Sequence, residues 1–250
     1  MTRIIMVGCN GRMGQVISKI VADDEDAVIV AGVDLSEAAN DYPVYGKLSE
    51  VKEEADVMID FSSPKLLDSI LAYAVEKNVP AVLCTTGYNT EEINQINQTA
   101  EKVALLRSAN MSLGINTMIK VMETVTKVLA DAGFDIEIVE KHHNQKLDAP
   151  SGTALALADA INGQLNNEYD YKYDRSTLRE KRPEKEIGIS AVRGGTIVGE
   201  HEIIFAGTDE VIEFKHTAYS KAIFGKGAVS AAKFLKGKEA GLYNMKHVIG

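Results

Sequence analysis

The feature that most constrains this chain is a succession of short, continuously apolar runs, several separated by helical stretches, through its first half. Arg3–Val7, Val28–Val33, Asp56–Phe61, Val79–Thr85 and Val103–Ser108 read as strands. One helix should run from a glycine loop to about Ala22, a second from Pro64 to about Lys77, and a third over Glu91–Lys102. Proline in a first helical turn removes no donor that the helix needs. Strands that are apolar throughout, rather than at alternate positions, are buried on both faces, as in a parallel sheet covered by helices on each side. Short, right-handed connections then make a doubly wound, Rossmann-type α/β sheet the expected arrangement.

The second half reads differently. Ile115, Met118, Ile119, Met122, Val125 and Leu129 recur at helical spacing and predict one long helix over Ser112–Ala130. Phe134–Val139 should be a strand, Ser151–Leu165 a helix, and the polar stretch Asn166–Lys185 a long surface loop. Strands are expected over Glu186–Val192, Glu202–Phe205 and Val211–His216, with Gly207-Thr208-Asp209-Glu210 as a hairpin turn. Short links between neighbouring strands imply a mixed or antiparallel sheet, so the second domain should be α+β. Ala222–Leu235 predicts an Ala-rich helix suited to packing back on the first domain. The expected division is 1–110 plus 217–250 against 111–216.

Composition narrows the function. Of 250 residues, 45% are hydrophobic, enough for a sizeable core. The net charge of −9 argues against a nucleic-acid groove, which needs a basic surface. Cys9 and Cys84 form no C-x-x-C pair, so neither a disulfide framework nor a bound metal is expected. No run approaches the roughly 18 apolar residues of a membrane span, and Met1–Gly8 carries no secretory signal. The expectation is a cytoplasmic protein with no membrane and no nucleic-acid partner.

Two segments carry chemistry. Val7-Gly8-Cys9-Asn10-Gly11-Arg12-Met13-Gly14 follows a strand and opens a helix. Gly8 permits a tight turn, Gly11 lets a pyrophosphate approach the backbone, and Gly14 lets helix and strand pack closely. The helix N-terminus offers N–H groups and partial positive charge to phosphates. Asp34 ends the second strand, about 20 residues further on, where an acid can take ribose hydroxyls. The spacing is G-x-x-G-x-x-G rather than G-x-G-x-x-G, so the loop alone is a weak signal. Strand, loop, helix, second strand and terminal acid together are a stronger one for a dinucleotide. Phe61-Ser62-Ser63-Pro64 and Thr85-Thr86-Gly87 end later strands where such a fold holds its ligand.

The second segment is Glu140 to Ala154, EKHHNQKLDAPSGTA, which holds two of the five histidines side by side. Histidine suits proton transfer near neutral pH. Lys146 can hold a carboxylate or donate a proton, and Ser151, Gly152 and Thr153 make an anion site at a helix N-terminus. A plain helix capped by Ser151 with surface histidines before it fits the segment alone about equally well. Glu140 and Asp148 are suited to orienting the histidines or the loop. Arg193 fits either a substrate carboxylate or a surface turn.

Glu140–Ala154 is similar to the signature E-x-H-H-x-x-K-x-D-A-P-S-G-T-A of the 4-hydroxy-tetrahydrodipicolinate reductase family, formerly dihydrodipicolinate reductases. Gly11-Arg12-Met13-Gly14, Ile59-Asp60-Phe61-Ser62, Thr85-Thr86-Gly87, Asn110-Met111-Ser112-Leu113-Gly114, Arg193-Gly194-Gly195 through Gly199-Glu200-His201, and Gly241-Leu242-Tyr243-Asn244-Met245 also resemble it. The resemblance covers nearly the whole chain. It implies reduction of a small cyclic imine dicarboxylate by a nicotinamide cofactor, in the diaminopimelate route to lysine. It makes His142 the proton donor, Lys146 the second catalytic residue and His143 a substrate contact. Ser151, Gly152 and Thr153 would hold a carboxylate, with Arg193 nearby. Cofactor contacts would come from Gly8, Asn10, Gly11, Arg12, Met13, Gly14 and Asp34. Phe61, Thr85, Thr86, Gly87, Ala109, Asn110 and Met111 would lie near the nicotinamide. The same resemblance implies a Rossmann domain completed by the chain's end, a second domain that builds a homotetramer, and closure of the two over both ligands. The sequence departs from several members in one place: Leu35, not arginine, follows Asp34, and Ser36-Glu37 adds no cation. NADH is therefore expected to serve at least as well as NADPH. The alternatives are another NAD(P)-dependent dehydrogenase of amino or imino acids and a non-catalytic NADH-binding regulator.

Overall fold

The computed structural model describes residues 1–36, 38, 40–108 and 110–250. In chain order the elements begin β1 (Thr2–Val7), α1 (Arg12–Ala22), β2 (Ala27–Val33), β3 (Val44–Tyr45), β4 (Val57–Asp60), α2 (Leu67–Lys77), β5 (Ala81–Leu83), α3 (Thr90–Ala100) and β6 (Ala104–Arg107). They continue α4 (Leu113–Asp131), β7 (Asp135–His142), α5 (Gly152–Gln164), β8 (Asp170–Lys172), β9 (Glu186–Arg193), β10 (Gly199–Ala206) and β11 (Val211–Ala218). The chain closes with α6 (Ala222–Leu235), β12 (Gly241–Tyr243) and α7 (Met245–Ile249). Two compact units result: Met1–Leu113 with Ala222–Gly250, and Gly114–Lys221.

The first unit is built on a seven-stranded sheet in the order β12-β6-β5-β4-β1-β2-β3, parallel throughout. Its strands alternate sides as the pleat requires. Ile4 and Met6 of β1 enter a cluster with Ile17 and Val21 of α1 and Ala228, Val229, Ala232 and Leu235 of α6. Ile5 and Val7 enter the opposite cluster with Ile70 and Ala74 of α2 and Ile96 of α3. Both faces are covered, which is why these strands read as continuous apolar runs. The Ala-rich helix predicted over Ala222–Leu235 forms over those bounds and covers this sheet.

The second unit carries a five-stranded mixed sheet in the order β11-β10-β7-β9-β8. β10 runs antiparallel to β7 and β11, while β9 runs parallel to β7 and β8. One face is packed by α4 and α5, with Met118, Met122, Leu157 and Ile161 against Ile136, Ile138, Ile189, Ile203 and Phe205. The hairpin expected at Gly207–Glu210 forms between β10 and β11, and Gly207 donates its amide to the Glu210 carbonyl.

Several sequence expectations need correction. The polar stretch Asn166–Lys185 contains β8, a short edge strand that has no apolar alternation to announce it. β3 was likewise unexpected, for the same reason of length and edge position. β7 extends past Val139 to His142, and β10 begins at Gly199 rather than Glu202. In both cases the strand continues into polar residues because its covered face changes from core to a buried polar cluster.

Candidate active site

In the first unit, every described residue expected to hold a dinucleotide lies at the carboxyl edge of the parallel sheet, beyond β1, β2, β4, β5 and β6. That edge is where open α/β sheets bind ligands. Gly8 has φ +79°, and a Cβ there would lie 2.6 Å from the Phe61 carbonyl oxygen. A Cβ on Gly14 would lie 2.2 Å from the Gly8 carbonyl oxygen. The turn therefore tolerates no side chain at either place. Gly11 is the N-cap of α1, so no N-cap side chain occupies the helix's first amides, an arrangement that suits an anion. Asp34 braces the loop: its Oδ2 accepts the Asn10 amide at 3.0 Å and its Oδ1 the Ser36 amide at 3.0 Å. The uncapped helix, the side-chain-free turn and the carboxylate at the end of β2 fit a dinucleotide. A cavity of about 390 Å³ beside Asp34 is lined also by Leu35, Lys47, Leu48 and Tyr73. Lys47 is a cation that the reading around Asp34 missed, because the short β3 brings it back from 13 residues further along. Cys9 is buried, and burial, then Asp34, pushes its thiol up to about 11.

The loops after β4 and β5 are organised by a residue the sequence reading passed over. Asp60 is fully buried. Its carboxylate accepts the Ser62 amide at 3.0 Å and the Ser62 hydroxyl, and the Tyr88 hydroxyl at 3.3 Å. Burial raises its pKa above the ordinary carboxylate range despite those donors. The Ser62 amide also reaches Thr85 Oγ1 at 3.1 Å, which ties the Phe61 loop to the Thr85-Thr86-Gly87 loop. Asn110 Oδ1 accepts the Ser112 amide at 2.8 Å, and Met111 is buried nearby in sequence. Ala109 lies outside the described residues.

In the second unit, the covered face of β7 runs Ile136, Ile138, Glu140, His142, and that of β10 runs Phe205, Ile203, His201. The same period-2 pattern that builds the core thus delivers three titratable residues to its end. Glu140 is fully buried. Its Oε2 lies 2.6 Å from His142 Nδ1, its Oε1 accepts the Ser151 amide at 2.9 Å, and Arg193 forks onto both oxygens at 2.7 and 2.6 Å. Burial alone would push the Glu140 carboxyl up, but Arg193, His142 and the Ser151 amide outweigh it and hold it below its ordinary value. His142 is shifted down, first by burial, with Glu140 opposing and Lys146 and Arg193 adding. His201 packs edge-on to His142 with ring centroids 5.1 Å apart, and burial lowers it to about 4.

The structure brings together His142, Lys146, Ser151 and Arg193 of the expected set. Lys146 Nζ pairs with Asp148 Oδ1 at 2.8 Å. Ser151 caps α5, its Oγ accepting the Ala154 amide at 3.2 Å and meeting His201 Nε2 at 3.1 Å. Gly152 and Thr153 form the first turn of that helix. His143 falls just past the end of β7, off the strand that carries His142. Arg193, expected to meet a carboxylate or a turn, meets the carboxylate of Glu140 and the Asp148 carbonyl. His201 had no assigned role in the sequence. It stood in the sequence only within the family-like stretch Gly199-Glu200-His201, just ahead of the strand expected from Glu202.

Comparison with known proteins agrees with this geometry. The family model for the dihydrodipicolinate reductase N-terminus matches residues 2–111, and that for the C-terminus matches residues 114–249. The 4-hydroxy-tetrahydrodipicolinate reductase of Caldanaerobacter subterraneus subsp. tengcongensis is 51% identical over 249 residues, which cover 100% of this chain and 98% of that one. The Clostridium tetani reductase is 50% identical over 98% of this chain and 96% of its own. Among solved structures, dipicolinate-bound dihydrodipicolinate reductase from Paenisporosarcina sp. TG-14 superposes with a TM-score of 0.83 at 26% identity, covering 100% of both chains. A probable dehydrogenase from Thermotoga maritima, at 12% identity and a TM-score of 0.63 over 99% of this chain and 92% of its own, shares the fold alone. With both halves matched and close relatives aligned end to end, the chain belongs to the dihydrodipicolinate reductase family.

Proposed function

We propose that the chain reduces 4-hydroxy-tetrahydrodipicolinate to tetrahydrodipicolinate with NAD(P)H, in the diaminopimelate route to lysine. The observation that carries this reading is His142, held through Nδ1 by a buried, ionised carboxylate and flanked by Lys146 and the N-terminus of α5. The nicotinamide, when bound, supplies a hydride to the unsaturated ring carbon left after the hydroxyl departs as water. The chain's own residues do the rest. His142 delivers a proton from Nε2 to the neighbouring carbon. Lys146 and the first amides of α5 hold a carboxylate, with His143 as a further contact. Asp148 supports that placement, because its carboxylate already sits against Lys146 and draws on the Gly152 amide. An arriving substrate carboxylate would take over those donors. Arg193 contributes through Glu140, which its fork neutralises.

The dinucleotide lies over Gly8–Gly14, with its ribose hydroxyls at Asp34. Asn10, Arg12 and Met13 contribute along the loop, and Phe61, Thr85, Thr86, Gly87, Asn110 and Met111 towards the nicotinamide. An aspartate repels a 2′-phosphate, so NADH serves at least as well as NADPH, and Lys47 is the group through which the phosphate is tolerated. The chain acts in the cytoplasm as a homotetramer. Buried free thiols at Cys9 and Cys84 support the first expectation, and the uncovered face of the mixed sheet supports the second.

Following NADH oxidation spectrophotometrically with freshly generated 4-hydroxy-tetrahydrodipicolinate tests the reading. Turnover is expected with NADH, and His142→Gln should lower kcat by about 10²-fold or more while NADH binding persists. No turnover by the unaltered chain would leave the other dehydrogenase or the silent NADH binder. A tenfold preference for NADPH, about 1.4 kcal/mol, would overturn the coenzyme assignment.

A further inference from the structure

Glu140 has two oxygens and about four lone-pair directions. Four donors fill them: both terminal nitrogens of Arg193, the Ser151 amide, and His142 Nδ1. Nothing is left for a substrate, and the side chain is fully buried. Whatever this carboxylate contributes to the reaction proposed above, it contributes through its partners. Resting on that reading, we propose that Glu140 is a positioning residue that sets two parts of the substrate site at once: the protonation geometry of His142 and the placement of the α5 N-terminus.

The first half follows from acceptor chemistry. An ionised carboxylate can only accept, so at 2.6 Å the shared proton belongs on Nδ1. Neutral His142 then carries its lone pair on Nε2, and Nε2 is the atom that takes up and gives back the transferred proton. The backbone leaves that atom room, since a Cβ on Gly199 would lie 3.1 Å from it. The groups facing the ring are Glu140 from its own strand, Arg193 from β9, His201 from β10 and Lys146 from the following loop. Burial holds His201 at about 4, so near pH 7 it is neutral and does not compete for the proton.

The second half follows from the cap. Ser151 is the N-cap of α5, so the position of its amide fixes where the first turn of the helix points. That amide is held by Glu140 Oε1 at 2.9 Å across 11 residues of chain. One oxygen aims the proton donor while the other anchors the helix end that receives a carboxylate. Arg193 makes the arrangement affordable in a buried place by supplying the opposite charge.

Glu140→Gln separates these effects from bulk. A carboxamide of the same shape has one acceptor and one donor end. The Ser151 N–H cannot reverse, so the oxygen stays with it and the NH₂ faces Nδ1. His142 is then driven to carry its proton on Nε2, where it can no longer accept. The test is ¹⁵N–¹H correlation spectroscopy of histidine-labelled protein without ligands, above the pH at which His142 is neutral. The unaltered chain should show His142 protonated on Nδ1, and Glu140→Gln should show it on Nε2. In the reductase assay the variant should lose about 10²-fold or more in kcat, and KM for the substrate should rise. NADH affinity by fluorescence should be unchanged, and parental positions for the His201 and His216 signals in the same spectra check the folding of the second unit. Finding His142 of the unaltered chain protonated on Nε2 overturns the proposal even if the variant does not fold, as does a folded variant that keeps the parental kcat. If the unaltered chain turns over no substrate, the functional reading fails, while the spectrum still decides the positioning role.

Discussion

In the proposed reaction His142 donates a proton, yet its pKa in the free chain is pulled below the usual histidine value, chiefly by burial. Left alone, it is mostly neutral at pH 7. A dicarboxylate changes the sum. Two negative charges beside the ring favour its protonated form and raise its pKa, so binding must draw in a proton at any pH between the free and bound values. Calorimetric titration with dipicolinate near pH 7, in phosphate and in Tris, should give heats that differ by the buffers' ionisation enthalpies, with uptake of up to about one proton. His142→Gln should abolish the difference. Identical heats in the two buffers for the unaltered chain would mean that the substrate does not charge the ring. On this reading His142 becomes an acid when substrate arrives, and Lys146 and Arg193 help to keep it neutral until then.

At the scale of elements, the mixed sheet has one packed face and one open one. On the open face, Val139, Val192, Ile204 and Val211 stand among ion pairs of Lys141 and Lys215 with Glu200 and of Arg182 with Glu137. Val192 and Val211 are 44% and 57% exposed. If this face assembles the tetramer, Ile204→Asp should lower the mass seen by light scattering, since a buried unpaired charge at an interface costs several kcal/mol. A parent chain that is already monomeric at micromolar concentration would rule the assembly out. How far these elements could be read in advance followed their burial. The first sheet was legible because both its faces are apolar, so β1, β2, β4, β5 and β6 each announce themselves. β3 and β8 were not, because short edge strands carry no pattern. That Glu140–Ala154 could carry chemistry was legible by residue type, while the choice of His142 and Lys146 within it came from the family resemblance. The Glu140–Arg193 pairing was only half legible. Glu140 could be guessed to orient a histidine, but Arg193 reaches it through the parallel register of β7 with β9, in which His142 faces Arg193. No local spacing encodes that register. Asp60 was missed for a related reason: its partners Ser62 and Tyr88 lie on two different loops that only the sheet brings together.

The molecule as a whole is one compact unit interrupted by another. Met1–Leu113 and Ala222–Gly250 form a single unit, with Gly114–Lys221 between them in the chain. The closing segment is structural: Val229, Ala231, Ala232, Leu235 and Met245 are buried against the β1 and β4 face of the first sheet. Fully burying a side chain the size of Val229, Leu235 or Met245 is worth about 1.5–3 kcal/mol, so losing this segment removes much of a domain's net stability. A chain ended at Lys221 should therefore bind no NADH, and its β1 and β4 amides should lose protection in hydrogen exchange. Protection retained in β1 would show α6 to be dispensable.

That layout has a consequence for how the protein is made. On a ribosome adding about 5–20 residues per second, the strands of the first sheet emerge long before the helix that covers them. For on the order of 5 to 20 s, while Gly114–Lys221 is being synthesised, Ile4, Met6, Val57 and Ile59 have no α6 to lie against. The inserted unit, whose whole sheet lies within that stretch of chain, can finish folding within that interval. The part of the chain begun first is the last to be completed.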